Sequence, residues 1–435
     1  MRDARNQQVV AKRHDREKVK TIVRTVTLNL ALVFFVVARA AAQIGPEPPT
    51  SITDNTRPGI RAAADDSRTG EKAVEQGPFP KSIKIPGTDL SLAIGGYVKL
   101  DFIQDFSAIG DQFEFKTTTI PARGTAAAAQ SGLTTIHARE SRVNFDLRTD
   151  QGRFRAFVEG DFFGSGNAFR LRHGFGEFGY LLAGQTWTTF MDITARPFSL
   201  DFEGPDGEVF VRQAMLRWKQ PLAPHWTWAI AVESPGPQFA VPSTLTGAPR
   251  SNVPDVPGFV RYEQPRGHVQ LAGILRQLRF DGGEGISNET TLAVGFNATF
   301  SFKVRGEDVV QGQFVIGDGT ARYIESLSGQ NVDAVLSTAG ELSGIRSQAG
   351  MLAYTHHWGP GLRSVAAYST ASIDDDPGLS GPTVERTQDV RASVVWTPFR
   401  LVDIGGEILW GRRTNQDRTR GDAWRFQFST IYRLN

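Results

Sequence analysis

The chain has 435 residues, of which 40% are hydrophobic and 22% charged, with 45 Gly, 23 Pro and no Cys. The lack of Cys excludes a disulfide scaffold, a thiolate metal site and a Cys nucleophile. The 29 Phe, 8 Trp and 7 Tyr argue against a disordered chain, which is poor in aromatics, and a single apolar run near membrane-span length argues against a multi-span helical membrane protein.

That run lies at the start. Residues 2–24 are basic and polar, Leu30-Ala31-Leu32-Val33-Phe34-Phe35-Val36-Val37-Ala38 is apolar, and Ala40-Ala41-Ala42 is a small-residue cleavage site before Gln43. This order predicts a cleavable secretory signal peptide over 1–42. Without it, 39 basic residues face 43 acidic ones, and the formal charge moves from +2 to −4. The basic surplus therefore belongs to the leader, and nucleic acid is not an expected partner. Residues 43–89 carry Pro46, Pro48, Pro49, Pro58, Pro78, Pro80 and Pro86 and few large apolar side chains, which predicts a flexible periplasmic segment.

From Leu90 to the end, over 90–435, the period is two. Leu292, Val294, Phe296, Ala298 and Phe300 alternate with Thr291, Ala293, Gly295, Asn297 and Thr299; Trp424, Phe426, Phe428 and Thr430 alternate with Arg425, Gln427, Ser429 and Ile431. Strands have this period because successive side chains point to opposite faces. Sixteen strands are predicted, near 92–104, 135–149, 153–163, 168–178, 180–190, 208–219, 225–234, 257–264, 267–280, 290–303, 308–316, 348–358, 361–374, 384–397, 400–413 and 421–434. Their connections alternate between short turns and longer loops. Short periplasmic turns on one rim, longer extracellular loops on the other and an even strand count predict a sixteen-stranded antiparallel transmembrane β-barrel. In hydrocarbon no water can pair an open sheet edge, so the strands must close on themselves. The face meant for lipid carries Val, Ile, Leu, Phe and Ala, with Trp358, Trp396, Trp410, Trp424 and Tyr432 at its ends, where an aromatic girdle belongs. The expected location is the bacterial outer membrane, with its lipid as a partner.

Several motifs carry a family resemblance. Gly96-Tyr97-Val98-Lys99-Leu100-Asp101-Phe102-Ile103, Ile136-His137-Ala138-Arg139-Glu140-Ser141-Arg142-Val143-Asn144-Phe145 and Gly152-Arg153-Phe154-Arg155-Ala156-Phe157-Val158-Glu159-Gly160-Asp161-Phe162 resemble the DcaP-like porins. So do Arg170-Leu171-Arg172-His173-Gly174-Phe175-Gly176, Ala183-Gly184-Gln185-Thr186-Trp187 and Glu203-Gly204-Pro205. The resemblance is dense over 95–220. It implies a homotrimeric outer-membrane porin passing small anions, notably dicarboxylates. Two features depart from it: residues 43–89 lack the heptads of a coiled-coil extension, and the chain ends in Asn435 rather than an aromatic residue.

Sixteen strands leave an aqueous channel, and its selectivity depends on the charges at its narrow point. The alternation turns Arg142, Arg155, Arg170, Arg172, Arg261, Arg276, Arg391 and Arg425 inward as pore-lining residues. Arg rather than Lys matters, because its planar fork grips a carboxylate bidentately. Alternatively, these groups pair with Glu140, Glu159, Asp161, Glu263 and Glu407 and stiffen the wall. The third long loop, over 191–207, carries Asp192, Arg196, Asp201, Glu203 and Asp206 and is expected to fold into the lumen as a constriction. No GxSxG, Walker or GxGxxG motif stands in a strand–helix context, and no cofactor or metal is expected. His356-His357 point to opposite faces, and Asp374-Asp375-Asp376 reads as a solvated acidic loop. The second reading is an outer-membrane barrel enzyme, lipase- or protease-like, with an active site at its rim.

Overall fold

The computed structural model describes residues 75–130 and 132–434. The predicted leader and residues 43–74 lie outside the described residues. Sixteen antiparallel staves follow in chain order: β1 (Leu90–Asp105), β2 (in two pieces, Thr134–His137 and Arg142–Thr149), β3 (Phe154–Asp161), β4 (Arg170–Phe178), β5 (Leu181–Trp187), β6 (Arg212–Ala223), β7 (Trp226–Glu233) and β8 (Val256–Gln264). The second half holds β9 (Gly267–Gly282), β10 (Glu289–Arg305), β11 (Asp308–Asp318), β12 (Arg346–Gly359), β13 (Leu362–Ile373), β14 (Val384–Phe399), β15 (Val402–Asn415) and β16 (Arg420–Arg433).

Each stave pairs with the next, and the sheet closes because β1 also pairs with β16, from Tyr97↔Arg433 to Asp105↔Arg425. The other half of β1 pairs with β2, from Leu90↔Thr149 to Tyr97↔Arg142. One stave thus serves both neighbours with a stagger, as a tilted barrel requires. The predicted fold, strand number and alternation of short and long connections all hold.

The wall has unequal height. β3, β4 and β5 have 8, 9 and 7 residues, whereas β9, β10 and β14 have 16, 17 and 16. Its outer face is apolar: Leu100, Phe102, Leu275, Leu292, Phe296, Val394 and Phe428 are exposed, while the alternating Lys99, Asp101, Arg276, Asn297, Arg391 and Gln427 are buried. A water-soluble protein would not tolerate that inversion; a lipid-facing barrel requires it.

The folded region begins earlier than the alternation indicates, which corrects the last part of the flexible segment. Gln76 bridges to Ile83, and the two-residue strand Ile83–Lys84 pairs with β1 at Ile83↔Leu92. Lys84 also forms an ion pair with Asp150. This hairpin is too short to show a period of its own, so its sequence reads as a linker.

The interior is not empty. Phe190 and Met191 of the third long loop and Tyr323, Ile324, Leu327 and Val332 of the sixth pack against inward-facing Ile274, Val315, Ala349 and Ala371. This apolar core lies inside the barrel, beside β9 to β13.

Candidate functional site: the lumen and its third loop

The third long loop, residues 188–211, runs through the lumen on a series of wall contacts. Asp192 accepts hydrogen bonds from the Thr194 amide at 3.1 Å and from Thr299 Oγ1 on β10 at 2.7 Å. Its carboxylate also meets His268 Nε2 on β9 at 2.8 Å and Arg261 Nη1 on β8 at 3.1 Å. Burial opposes the charge on Asp192, but hydrogen bonds from His268, Thr194 and Thr299 hold its carboxyl well below the ordinary value. Further along, the Leu200 and Asp201 amides donate to Glu407 of β15 at 2.7 and 2.9 Å. Lys99 of β1 and Gln427 of β16 donate to the Leu200 carbonyl at 2.5 and 2.9 Å. The Asp206 amide donates to Asp389 of β14 at 3.0 Å, and Gln313 of β11 donates to the Gly207 carbonyl at 3.1 Å.

The loop starts on β7, where Thr188 and the Thr189 amide donate to Glu233 at 2.6 and 2.7 Å, and apart from Arg261 of β8 the anchors beyond it lie on β1 and on β9 to β16. The loop therefore lines the tall wall, and open space remains between it and the short staves. That cavity has a volume of about 390 Å³. The wall contributes Glu140, Arg142, Phe157, Glu159, Arg172, His173, Phe175, Thr186 and Trp187; the loop contributes Ile193, Arg196, Ser199, Asp201, Phe202 and Phe210.

Gly204 makes the loop's turn possible. Its φ is +84°, and a side chain there would strike the Arg196 guanidinium and the Glu208 carboxylate. Arg196 Nε lies 2.9 and 3.0 Å from the two Glu208 oxygens, and its guanidinium sits 4.5 Å from the Phe210 ring centre.

Beside this turn the first, third and sixth loops meet around few cations. Buried Glu203 has Lys116 Nζ at 3.7 Å, and the same lysine pairs with Glu114 and reaches Asp111 at 3.7 Å. Burial, then repulsion by Glu325, pushes the Glu203 carboxyl well above its ordinary value.

The eight arginines that the alternation turns inward fall into two groups. Arg142 is 21% exposed, with Glu140 at 3.4 Å and Glu159 at 4.0 Å, and it lies over the rings of Tyr97 and Phe202. Arg155 grips Asp146 at 3.0 Å and meets Glu177 at 3.2 Å; Arg170 meets Asp161 at 2.7 Å. Arg172, whose side chain is also enclosed at 3% exposed although it borders the cavity, bridges Asp161 at 2.7 Å and Glu159 at 3.1 Å, and Arg261 joins Asp192 to Glu263. These five stand on β2, β3, β4 and β8, and Arg142 and Arg172 line the cavity.

The other three require a correction. Arg276, Arg391 and Arg425 point inward but are enclosed, with side chains 0%, 3% and 0% exposed. Arg276 binds Asp255 and Asp333, Arg391 binds Asp389, and Arg425 binds Asp105. Loops fill the lumen beside the tall wall, so an inward side chain there meets protein rather than water. In the third loop, Arg196 and buried Asp201 border the cavity, whereas Asp192, Glu203 and Asp206 are buried anchors away from it.

Phe202, Phe210 and Trp187 escape a search for charge. Yet the Phe202 ring gathers the guanidinium groups of Arg142, Arg170 and Arg172 at 5.8, 5.3 and 5.3 Å. Arg217 and Lys219 alternate with lipid-facing Leu216 and Trp218, a signal available in the sequence. Among the described residues, no group of three or more His, Asp, Glu or Cys side chains is placed to hold a metal ion.

A closed sixteen-stave barrel with an apolar outer belt and a loop threaded through its lumen defines an outer-membrane channel of the porin class. The model of the DcaP outer membrane protein family matches residues 80–434, and the chain belongs to that family. Among solved structures it is similar to the outer membrane channel DcaP of Acinetobacter baumannii, with a TM-score of 0.70 and 18% identity over 79% of this chain and 97% of that one. It is also similar to an anion-selective porin from Comamonas acidovorans, with a TM-score of 0.54 and 11% identity over 79% of this chain and 100% of that one. No curated protein matches the sequence significantly.

Proposed function

We propose that this protein is a passive outer-membrane pore for small anions, dicarboxylates among them, with the space between β2–β5 and the third loop as its narrow passage. One observation carries the reading. Arg142 and Arg196 present side chains 21% and 22% exposed in the cavity lining, more than the 12%, 14% and 0% of Glu140, Glu159 and Asp201 that line it with them. A passing ion thus has more guanidinium than carboxylate surface to contact, and Coulomb interaction falls with distance. A dicarboxylate can engage one fork while releasing another. The third loop constricts the pore by standing across from the short staves. The chain is exported by its leader and assembles as a homotrimer, burying part of the outward apolar face of β1 to β5.

A planar bilayer holding a potassium chloride gradient tests selectivity. The expected reversal potential has the sign of chloride preference, and a potassium preference overturns the reading. Mass in mild detergent is expected near three times that of the mature chain; a monomer in several detergents removes the trimer.

A further inference from the structure

We infer that anions are drawn along β6, where Arg217 and Lys219, with Arg212 at the loop end of the same stave, supply positive charge with no carboxylate oxygen within 4.0 Å among the described residues. The inference rests on the anion-pore reading and names the residues that set its selectivity.

The arginines around the cavity are balanced. Arg142, Arg172 and Arg196 each have a carboxylate within 4.0 Å. A paired cation acts on a distant ion as a dipole, whose field dies away quickly. An unpaired cation keeps its full charge, attenuated only over the Debye length of about 10 Å at 0.1 M salt.

β6 differs. Ala214, Leu216 and Trp218 are exposed on the lipid side, and Gln213 and Met215 are buried on the other. Arg217 and Lys219 continue that inner row. Arg217 Nη1 donates to the Trp187 carbonyl at 3.4 Å, and its Nε has no partner. Neither side chain has a carboxylate oxygen within 4.0 Å among the described residues.

Their surroundings keep them so. On β7 they face Ala231 and Ala229, which offer neither charge nor bulk. The acids in the neighbourhood stay beyond that distance: Glu177 holds Arg155 at 3.2 Å, Glu263 holds Arg261 at 2.9 Å, and Glu233, which accepts from neutral Thr188 and Gln213 at 2.6 Å each, acts on Arg217 only from farther off. Arg212 has no carboxylate within that distance either. Its guanidinium lies 4.9 Å from the ring centre of Trp187, which lines the cavity, and its Nη1 is buried without a partner. Arg212 has the parity of Ala214 and Leu216 but stands at the loop end of the stave with its guanidinium over Trp187; at roughly 3.3 Å per residue it is about 23 Å along the stave from Lys219, which lies toward the short-turn rim.

The test is the reversal potential of the full-length pore in a potassium chloride gradient. Arg217→Gln with Lys219→Gln is expected to lower the chloride-to-potassium permeability ratio by roughly threefold or more, whereas Arg217→Lys keeps it. Lys219→Gln alone, at an exposed position, gives a smaller fall and serves if the double variant does not insert. A ratio unchanged in these variants but lost in Arg142→Gln with Arg196→Gln overturns the role of β6 and leaves the anion-pore reading intact. Potassium preference in the unmodified pore overturns that reading itself.

Discussion

The short wall and the tall wall follow the same alternating pattern, yet their inward side chains meet different surroundings. On β3 to β5, staves of 7 to 9 residues border a cavity, and partly exposed Arg142 of β2 and Arg196 of the loop face it. On β9, β10 and β14, staves of 16 or 17 residues stand beside loops folded into the lumen, and the inward charges are sealed. Inward and water-facing are therefore separate properties. The first is fixed by the pleat, the second by where the loops go.

The largest effect expected from that contrast is on stability. Arg276→Ala leaves buried Asp333 without its cation and Asp255 with only Arg322 at 3.3 Å, and the expected loss is about 3–5 kcal/mol. Arg142→Ala, at a half-exposed pair on the short wall, is expected to cost at most about 1 kcal/mol. Denaturant titration of the refolded barrel checks both, and equal losses would break the contrast. Next in size is Phe296→Arg, on the lipid face of the tall wall, expected to cost about 2–4 kcal/mol near the bilayer midplane. Folding into vesicles measures it.

A smaller effect concerns pH. The Glu203 carboxyl is raised above its ordinary value of 4.5, facing Glu325, Lys116, Glu114 and Asp201. A raised acid favours the docked loop fully at pH below about 4.5 and progressively less as pH rises above it. Loop-dependent current fluctuations are expected to grow with pH, and Glu203→Gln is expected to flatten that dependence. Fluctuations that grow on acidification would contradict the assignment.

Much of this was legible in the residues. The period of two, the alternating connections and the sixteen staves were readable from Leu90 onward, because a strand's side-chain period survives without any partner. The inward placement of Arg142, Arg172, Arg391 and Arg425 followed from the same pleat. Three things did not follow. The hairpin at 76–84 has too few residues to show a period. The enclosure of Arg276, Arg391 and Arg425 depends on loops distant in sequence, such as Asp333 reaching Arg276. Phe202 matters because three arginines from other staves gather on it, and no local pattern marks such a convergence.

Because the chain contains no Cys, a single introduced thiol can report which wall borders the passage. Phe175, on the short wall, lines the cavity, and Ser429, on the tall wall, is fully enclosed and donates to Asp101 at 2.5 Å. A negatively charged thiol-reactive sulfonate is expected to reduce the conductance of Phe175→Cys and to leave Ser429→Cys unchanged. Modification and block at Ser429→Cys with none at Phe175→Cys would place the passage along the tall wall and contradict the account.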